Sequence, residues 1–291
     1  MNLLAKFSLV FVLVFAVVLL VAGKAGHDFL QQSARSQVLQ QAQLMIQSAS
    51  ATRTYTEEQI QPLIGLRSRS EFHPQWVPFY AASQTFKYLR SSYPDYDYKE
   101  AALNPTNPRD RAVEWETDVI NYFRDNPGKT DFSGERDTVT GRSLYFAHPI
   151  VAERGCLECH SSPVVAPPAM VRLYGAGNGF GWKLNEVVGA QIVSVPMSVP
   201  LGIADEAFRG LLGSFIGVAV LTLIALNLLL IAIVIRPIGR AAAAADEISK
   251  GDVTVPELPV RGKDEIAVFE EAFNRMYRSL IRAMKLLERD K

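Results

Sequence analysis

Two uncharged apolar runs limit every fold open to this chain. Leu211 to Ile235 is a stretch of 25 residues with no charged member, long enough to cross a bilayer with some tilt. Phe7 to Ala22 carries no charge either and follows Lys6; it is at the short end for a spanning helix. Gly23-Lys24-Ala25 offers a small-x-small site, so a cleaved signal peptide competes with an uncleaved signal anchor, and the anchor is the reading adopted. Asp205 and Glu206 precede the second run, whereas Arg236 and Arg240 follow it. The excess of positive charge on that side puts the C-terminal segment in the cytoplasm. With two spans the N-terminus is cytoplasmic as well. The expected division is a first span at 1–23, an external domain at 24–209, a second span at 210–235 and a cytoplasmic domain at 236–291. Asn227 is the one strongly polar residue of the second run, and an amide there usually faces another helix.

Charge is balanced, 30 Lys and Arg against 30 Asp and Glu, which gives no reason to expect a nucleic-acid partner. The chain has only two cysteines, and both fall in Cys156-Leu157-Glu158-Cys159-His160. C-x-x-C-H is the pattern on which a c-type haem is attached. Two thiols at this spacing can each form a thioether with a porphyrin vinyl group, and the adjacent imidazole can ligate the iron. A zinc site needs four ligands where this element has three. A thiol–disulfide centre uses the two cysteines but leaves His160 without a task. Haem c, one per chain, is the expected cofactor. Its assembly outside the bacterial inner membrane agrees with the topology, since exposed thiol pairs persist poorly there otherwise.

Between the spans, His27 to Gln61 has neither Gly nor Pro, and Phe29, Val38, Ala42, Met45 and Ala49 fall at helical spacings. The reading is a long helix continuing from the first span and stopped at Pro62. His73 sits in a loop, Tyr80 to Leu89 is helical, and Asn104-Pro-Thr-Asn-Pro-Arg109 is a rigid turn. In that turn Asn107 can cap a helix with Pro108 at its first position, running to about Asn126 and burying Trp115, Val119, Tyr122 and Phe123. Ser143 to Ala147 and Val187 to Val195 are the clearest strands, the second expected at the centre of a sheet. Pro163, Pro167 and Pro168 predict an extended loop. Gly175, Gly177, Gly179 and Gly181 alternate in a tract that follows no strand and opens no helix, so it is read as a turn or a close approach to a flat porphyrin. An α+β, PAS-like domain between two transmembrane helices is the expected fold.

After the second span, Arg236-Pro237-Ile238-Gly239-Arg240 opens a helix that ends at Gly251-Asp252. A second helix begins at Asp264-Glu265-Ile266, with Ile266, Phe269, Phe273, Met276, Leu280, Ala283 and Leu287 alternating at steps of three and four. Such a heptad seam asks for a partner helix, so a homodimer through a parallel four-helix coiled coil and the membrane helices is expected. From the proline after the span through Phe273-Asn274-Arg275-Met276, the segment resembles a HAMP domain. That resemblance implies conversion of small displacements of membrane helices into altered helix packing. No kinase, cyclase or methyl-accepting region is seen up to Lys291, so output through a separate cytoplasmic effector is expected.

Tyr98 to Arg109, Cys156 to Ser161, Tyr174 to Trp182 and Gly189 to Pro196 resemble the bacterial periplasmic c-type-haem sensor family, which has a PAS-like fold and often precedes HAMP. The resemblance implies thioethers at Cys156 and Cys159 and an axial ligand at His160. Some members take a second axial ligand from a cysteine on the N-terminal helix, and this chain has no third cysteine. His73, His148, Met45 and Met170 are the candidates for the sixth position, with an open site as the alternative; Arg109 and Arg142 are candidates for the haem propionates. No catalytic constellation stands out, so the chain is not expected to be an enzyme. The leading reading is a two-pass inner-membrane sensor of redox state or a diatomic gas, with both termini cytoplasmic. A membrane-anchored electron-transfer cytochrome and a thiol oxidoreductase are the alternatives.

Overall fold

The computed structural model describes residues 3–64, 71–139, 141–252 and 254–289, the side chains of 287–289 excepted. The chain divides into a unit of His27–Phe208 and a unit of Met1–Gly26 with Arg209–Lys291.

In the first unit the sheet has four antiparallel strands: β1 (Asp97–Ala102), β2 (Phe132–Thr138), β3 (Gly141–Val151) and β4 (Val187–Pro196). Their order is β1-β4-β3-β2, so the two most apolar strands occupy the interior. Alternation sends Tyr98, Leu144, Phe146, Val193 and Val195 to one face, where they pack against Val38, Ala42, Ile46 and Ala49 of helix α1 (Leu3–Tyr55) and Ala82 and Phe86 of α3 (Pro78–Ser92). The other face carries Ala101, Ala147, Ala190 and Ile192 against Val119, Ile120 and Phe123 of α4 (Glu114–Asp125). The result is the expected α+β module, helices on both sides of one sheet.

Several expectations need correction. Pro62 does not stop the long helix; a π-helical turn at Thr56–Ile60 follows α1 and leads into α2 (Gln61–Ile64), where Pro62 sits in the first turn. The helix runs on through that turn, Gln61 N–H donating to the Thr56 carbonyl, and the π turn lies directly before the proline, where the ladder loses one N–H. Phe29 is exposed, and the buried stripe of α1 is Ala34, Val38, Ala42, Ile46 and Ala49. Asn107 does cap, accepting from the Arg109 N–H at 3.2 Å, but the capped element is a single 3-10 turn, Pro108–Asp110. The helix proper starts at Glu114, where the Glu116 carboxylate accepts from the Val113 N–H at 2.9 Å and from Lys99 Nζ at 2.6 Å. The expected loop at Pro163–Pro168 is shorter than supposed, because Pro168 opens α6 (Pro168–Tyr174). β1 was hidden by its composition: Asp-Tyr-Lys-Glu-Ala-Ala lacks the branched residues that mark strands.

In the second unit, α7 (Ser198–Leu230) runs in from the first unit and continues through a π-helical turn, Ile231–Ile235, into α8 (Arg236–Ser249). Ser8 Oγ donates to Asn227 Oδ1 at 2.9 Å, the helix association that the lone amide suggested. Past the connector, α9 (Glu265–Arg289) buries Ala267, Glu270, Asn274 and Tyr277 within the chain. Asn274 both accepts from the Leu258 N–H and donates to its carbonyl, each at 2.8 Å, and the Tyr277 hydroxyl donates to the Val255 carbonyl at 2.9 Å. Ala241 and Ala244 of α8 close a small core with Leu258. Phe269, Met276 and Leu280 of the heptad seam remain exposed. The last seam member, Leu287, has its side chain outside the described residues.

Candidate functional site

Cys156, Cys159 and His160 lie on α5 (Arg154–His160), a short helix entered directly from the end of β3. Positions three and four apart share a helix face, so the two half-buried thiols and the imidazole are presented together. Behind them the glycine tract is tied back to the end of this helix: Gly181 N–H donates to the Ser161 carbonyl and Trp182 N–H to that of His160, both at 3.2 Å.

His160 is held from three directions. Its ring stacks on Trp182, centroids 4.0 Å apart and planes 11° from parallel. Its Nδ1 donates to the Gly179 carbonyl at 2.7 Å, with Thr106 Oγ1 at 3.4 Å from the same atom. A carbonyl oxygen only accepts, so the proton is on Nδ1 and the lone pair is on Nε2. Burial holds the imidazole pKa below its ordinary value, the Gly179 bond partly opposing this. The outcome is a neutral, oriented imidazole with its second nitrogen ready to ligate, the arrangement that fixes metal-binding histidines elsewhere. Gly179 has φ +83°, and a Cβ there would run into Thr106, so glycine is required at this crossing.

The thiols point to the same chemistry. Burial, then Glu158 and then Cys156, pushes the Cys159 pKa up. Thiol–disulfide catalysis needs a thiolate favoured near neutrality, and this environment works against one.

The other residues singled out from the sequence are distributed unevenly. Arg109 follows Thr106 by three positions, pairs with Asp110 at 3.2 Å and lies 5.1 Å over the Tyr80 ring. Arg142 is at the opposite end of β3 from α5, roughly 30 Å along the strand at ~3.3 Å per residue, and pairs with Glu135 at 3.5 Å. Met45 packs against the α1 face of the core. His73 is in an exposed turn, its ring against Trp76 and its Nε2 3.6 Å from Glu71. His148 is half-buried on β3 beside Phe146, and burial lowers its pKa. Met170 is buried on α6, 4 % exposed. The turn at Thr106 and the Gly179 carbonyl were not recognised as partners of His160, because contacts across 54 and 19 positions leave no trace in local spacing.

A family model described as Tll0287-like matches residues 31–196, over half of the chain. The chain belongs to the Tll0287-like family. A HAMP domain model matches residues 229–282, and the chain carries that domain after its second apolar helix. One solved structure, the cyanobacterial haem-protein Tll0287, is similar at 16 % identity and a TM-score of 0.43, covering 54 % of this chain and 94 % of that one. Among curated proteins there is no match. Two helices, within Leu3–Ile64 and Ser198–Ser249, are long and apolar enough to cross a membrane. With the HAMP domain, these mark a membrane-anchored signal transducer.

Proposed function

We propose that this chain is a membrane-bound haem c sensor, with the haem attached through Cys156 and Cys159 outside the cytoplasm and ligated by Nε2 of His160. The observation that carries the reading is the Nδ1–Gly179 bond, which leaves Nε2 of the half-buried, neutral His160 to ligate, on the same helix as two thiols one turn apart. The donor set suits haem: the thiols have the spacing of the two vinyl groups, and the imidazole is the usual proximal ligand. A haem there would supply an iron whose oxidation state and ligation respond to redox chemistry or to a diatomic gas. His148, Met45 and Met170 are each buried at least in part, and they are the candidates for the opposite axial position.

The chain's own part in signalling is to turn a change at α5 into a change of helix packing. His160 is tied to the glycine tract, which leads into β4, and β4 into α7. α7 leads through the π-helical turn at Ile231–Ile235 into α8 of the HAMP segment. The exposed seam of Phe269, Met276 and Leu280 supports a homodimer, because one copy cannot cover it. A two-state element of this kind is what a ligand can bias. A separate cytoplasmic effector would read the outcome.

Maturation of the full chain in a host competent for covalent haem attachment tests the reading. Wild type is expected to retain haem through denaturing electrophoresis and to gain the porphyrin's mass, and the double substitution Cys156→Ala, Cys159→Ala to lose both. A colourless wild-type protein without added mass refutes it. His148→Leu, Met45→Leu and Met170→Leu, compared in oxidised and reduced spectra, identify the opposite ligand by which one changes the spectrum.

A further inference from the structure

Hydrogen bonds tolerate bends of some tens of degrees, so the Nδ1–Gly179 bond alone leaves the plane of the His160 ring loosely set. A second device acts on the face of that ring. Gly179 and Gly181 both have φ +83°, left-handed backbone that turns the tract back over α5. The turn lays the indole of Trp182 on the imidazole, centroids 4.0 Å apart and planes 11° from parallel. Two contacts keep the indole in place. Its backbone N–H donates to the His160 carbonyl at 3.2 Å, and its side chain packs on Ile150, Ala152 and Val188 beside Phe79. Ile150 is on β3 and Val188 on β4, so the two interior strands of the sheet back the imidazole through the indole.

Covering the ring does not by itself call for an indole, since a leucine would exclude water as well. What the indole adds is the negative charge of its π face, the strongest among the aromatic side chains. Ring centroids in aromatic pairs usually lie about 4.5–7 Å apart, because two overlapping faces repel; at 4.0 Å the overlap here is closer than that. An imidazole that gives electron density to a metal becomes electron-poor, and the same overlap then attracts. The attraction grows as the metal loses an electron, because part of the added positive charge spreads onto the ligand ring.

We propose that Trp182 is a positioning residue of the haem site, holding the plane of the His160 imidazole and stabilising the positive charge that the ring takes up on oxidation. The proposal rests on the haem reading above and names how the potential of that site is set. Trp182 acts through His160, not on the iron. By favouring the oxidised form it lowers the potential at which the unit changes state.

The test compares the full chain, matured with haem and purified in detergent, as wild type, Trp182→Leu and Trp182→Phe. Leu keeps an apolar cover and loses the π face, whereas Phe keeps a weaker one. Trp182→Leu is expected to raise the ferrous-to-ferric ratio at a fixed potential about threefold, about 30 mV for one electron. It should also change the ferric EPR g values, which report the imidazole plane, and Trp182→Phe should restore most of both. A lower thermal midpoint with potential and g values unmoved means that Trp182 only fills space, and overturns the proposal; a fall in potential overturns it too. Should Trp182→Leu not fold, Trp182→Phe is read alone, with a smaller shift of the same sign. A haem-free arm uses the Cys156→Ala, Cys159→Ala chain. There the His160 Cε1 proton, identified by its loss in His160→Gln, is expected upfield of an unstacked histidine through the indole ring current, and to return in Trp182→Leu or Trp182→Phe. An unshifted proton overturns the proposal whatever the colour of wild type. A shifted proton beside a colourless wild type fells the haem reading and supports Trp182 as the residue that holds the ring.

Discussion

Glu100 on β1 is buried, 6 % exposed, with the Tyr98 hydroxyl donating to its Oε1 at 2.5 Å, and replacing it with Gln tests what that burial costs. The carboxyl's pKa is raised from 4.5 to about 8, chiefly by burial. Below about 4.5 the folded and unfolded chains both carry the proton. Between 4.5 and 8 the unfolded chain has lost it and the folded chain keeps it, so folding becomes less favourable as pH rises. Each unit of that window costs at most ~1.4 kcal/mol, an upper limit of about 5 kcal/mol across it. Gln is neutral throughout and still offers an oxygen to the Tyr98 hydroxyl, so it removes the slope and keeps that bond. The variant should match wild type near pH 5 and exceed it by several kcal/mol at pH 8. Urea unfolding of the detergent-solubilised chain, followed by tryptophan fluorescence, reads this selectively. All three tryptophans, Trp76, Trp115 and Trp182, lie in the His27–Phe208 unit. Equal pH slopes for variant and wild type would refute the reasoning, since a solvated or ionised Glu100 gives no such difference.

Gly179→Ala should destabilise the same unit by about 2 kcal/mol or more, from the φ of +83° and the collision with Thr106. Gly155→Ala, with nothing within 4 Å of the added Cβ, should stay within about 1 kcal/mol of wild type in the same unfolding assay. Asn274→Ala strips the Leu258 backbone of two bonds and should cost roughly 2–4 kcal/mol, seen as faster proteolysis of the connector between α8 and α9. Asn227→Leu removes the bond from Ser8 and should weaken helix association by about 0.5–1.5 kcal/mol, measured by unfolding in mixed detergent micelles.

The glycine tract illustrates how far local reading extends. Its alternation marked a turn or a close approach, and the approach proved to be to Thr106 and, through a carbonyl, to His160. The HAMP helix behaves similarly: the seam of Phe269, Met276 and Leu280 was plain from its period, yet the face used inside the chain is the more polar Ala267, Glu270, Asn274 and Tyr277. Asn274 reads as surface in isolation. Only the connector folding back at Leu258 makes it core.

What this sequence determined alone is whatever a few neighbouring residues can express. The two apolar helices follow from uninterrupted hydropathy, β3 and β4 from branched and aromatic runs, and the haem-type element from two thiols and an imidazole at fixed spacing. Tertiary structure decided what depends on pairing distant segments. It made a strand of Asp97–Ala102, whose partner is almost a hundred positions away, and so lined up Glu100 with Gln191. It also gave His160 its tautomer, because a proton on one ring nitrogen is settled by the atom facing it, and that atom belongs to Gly179.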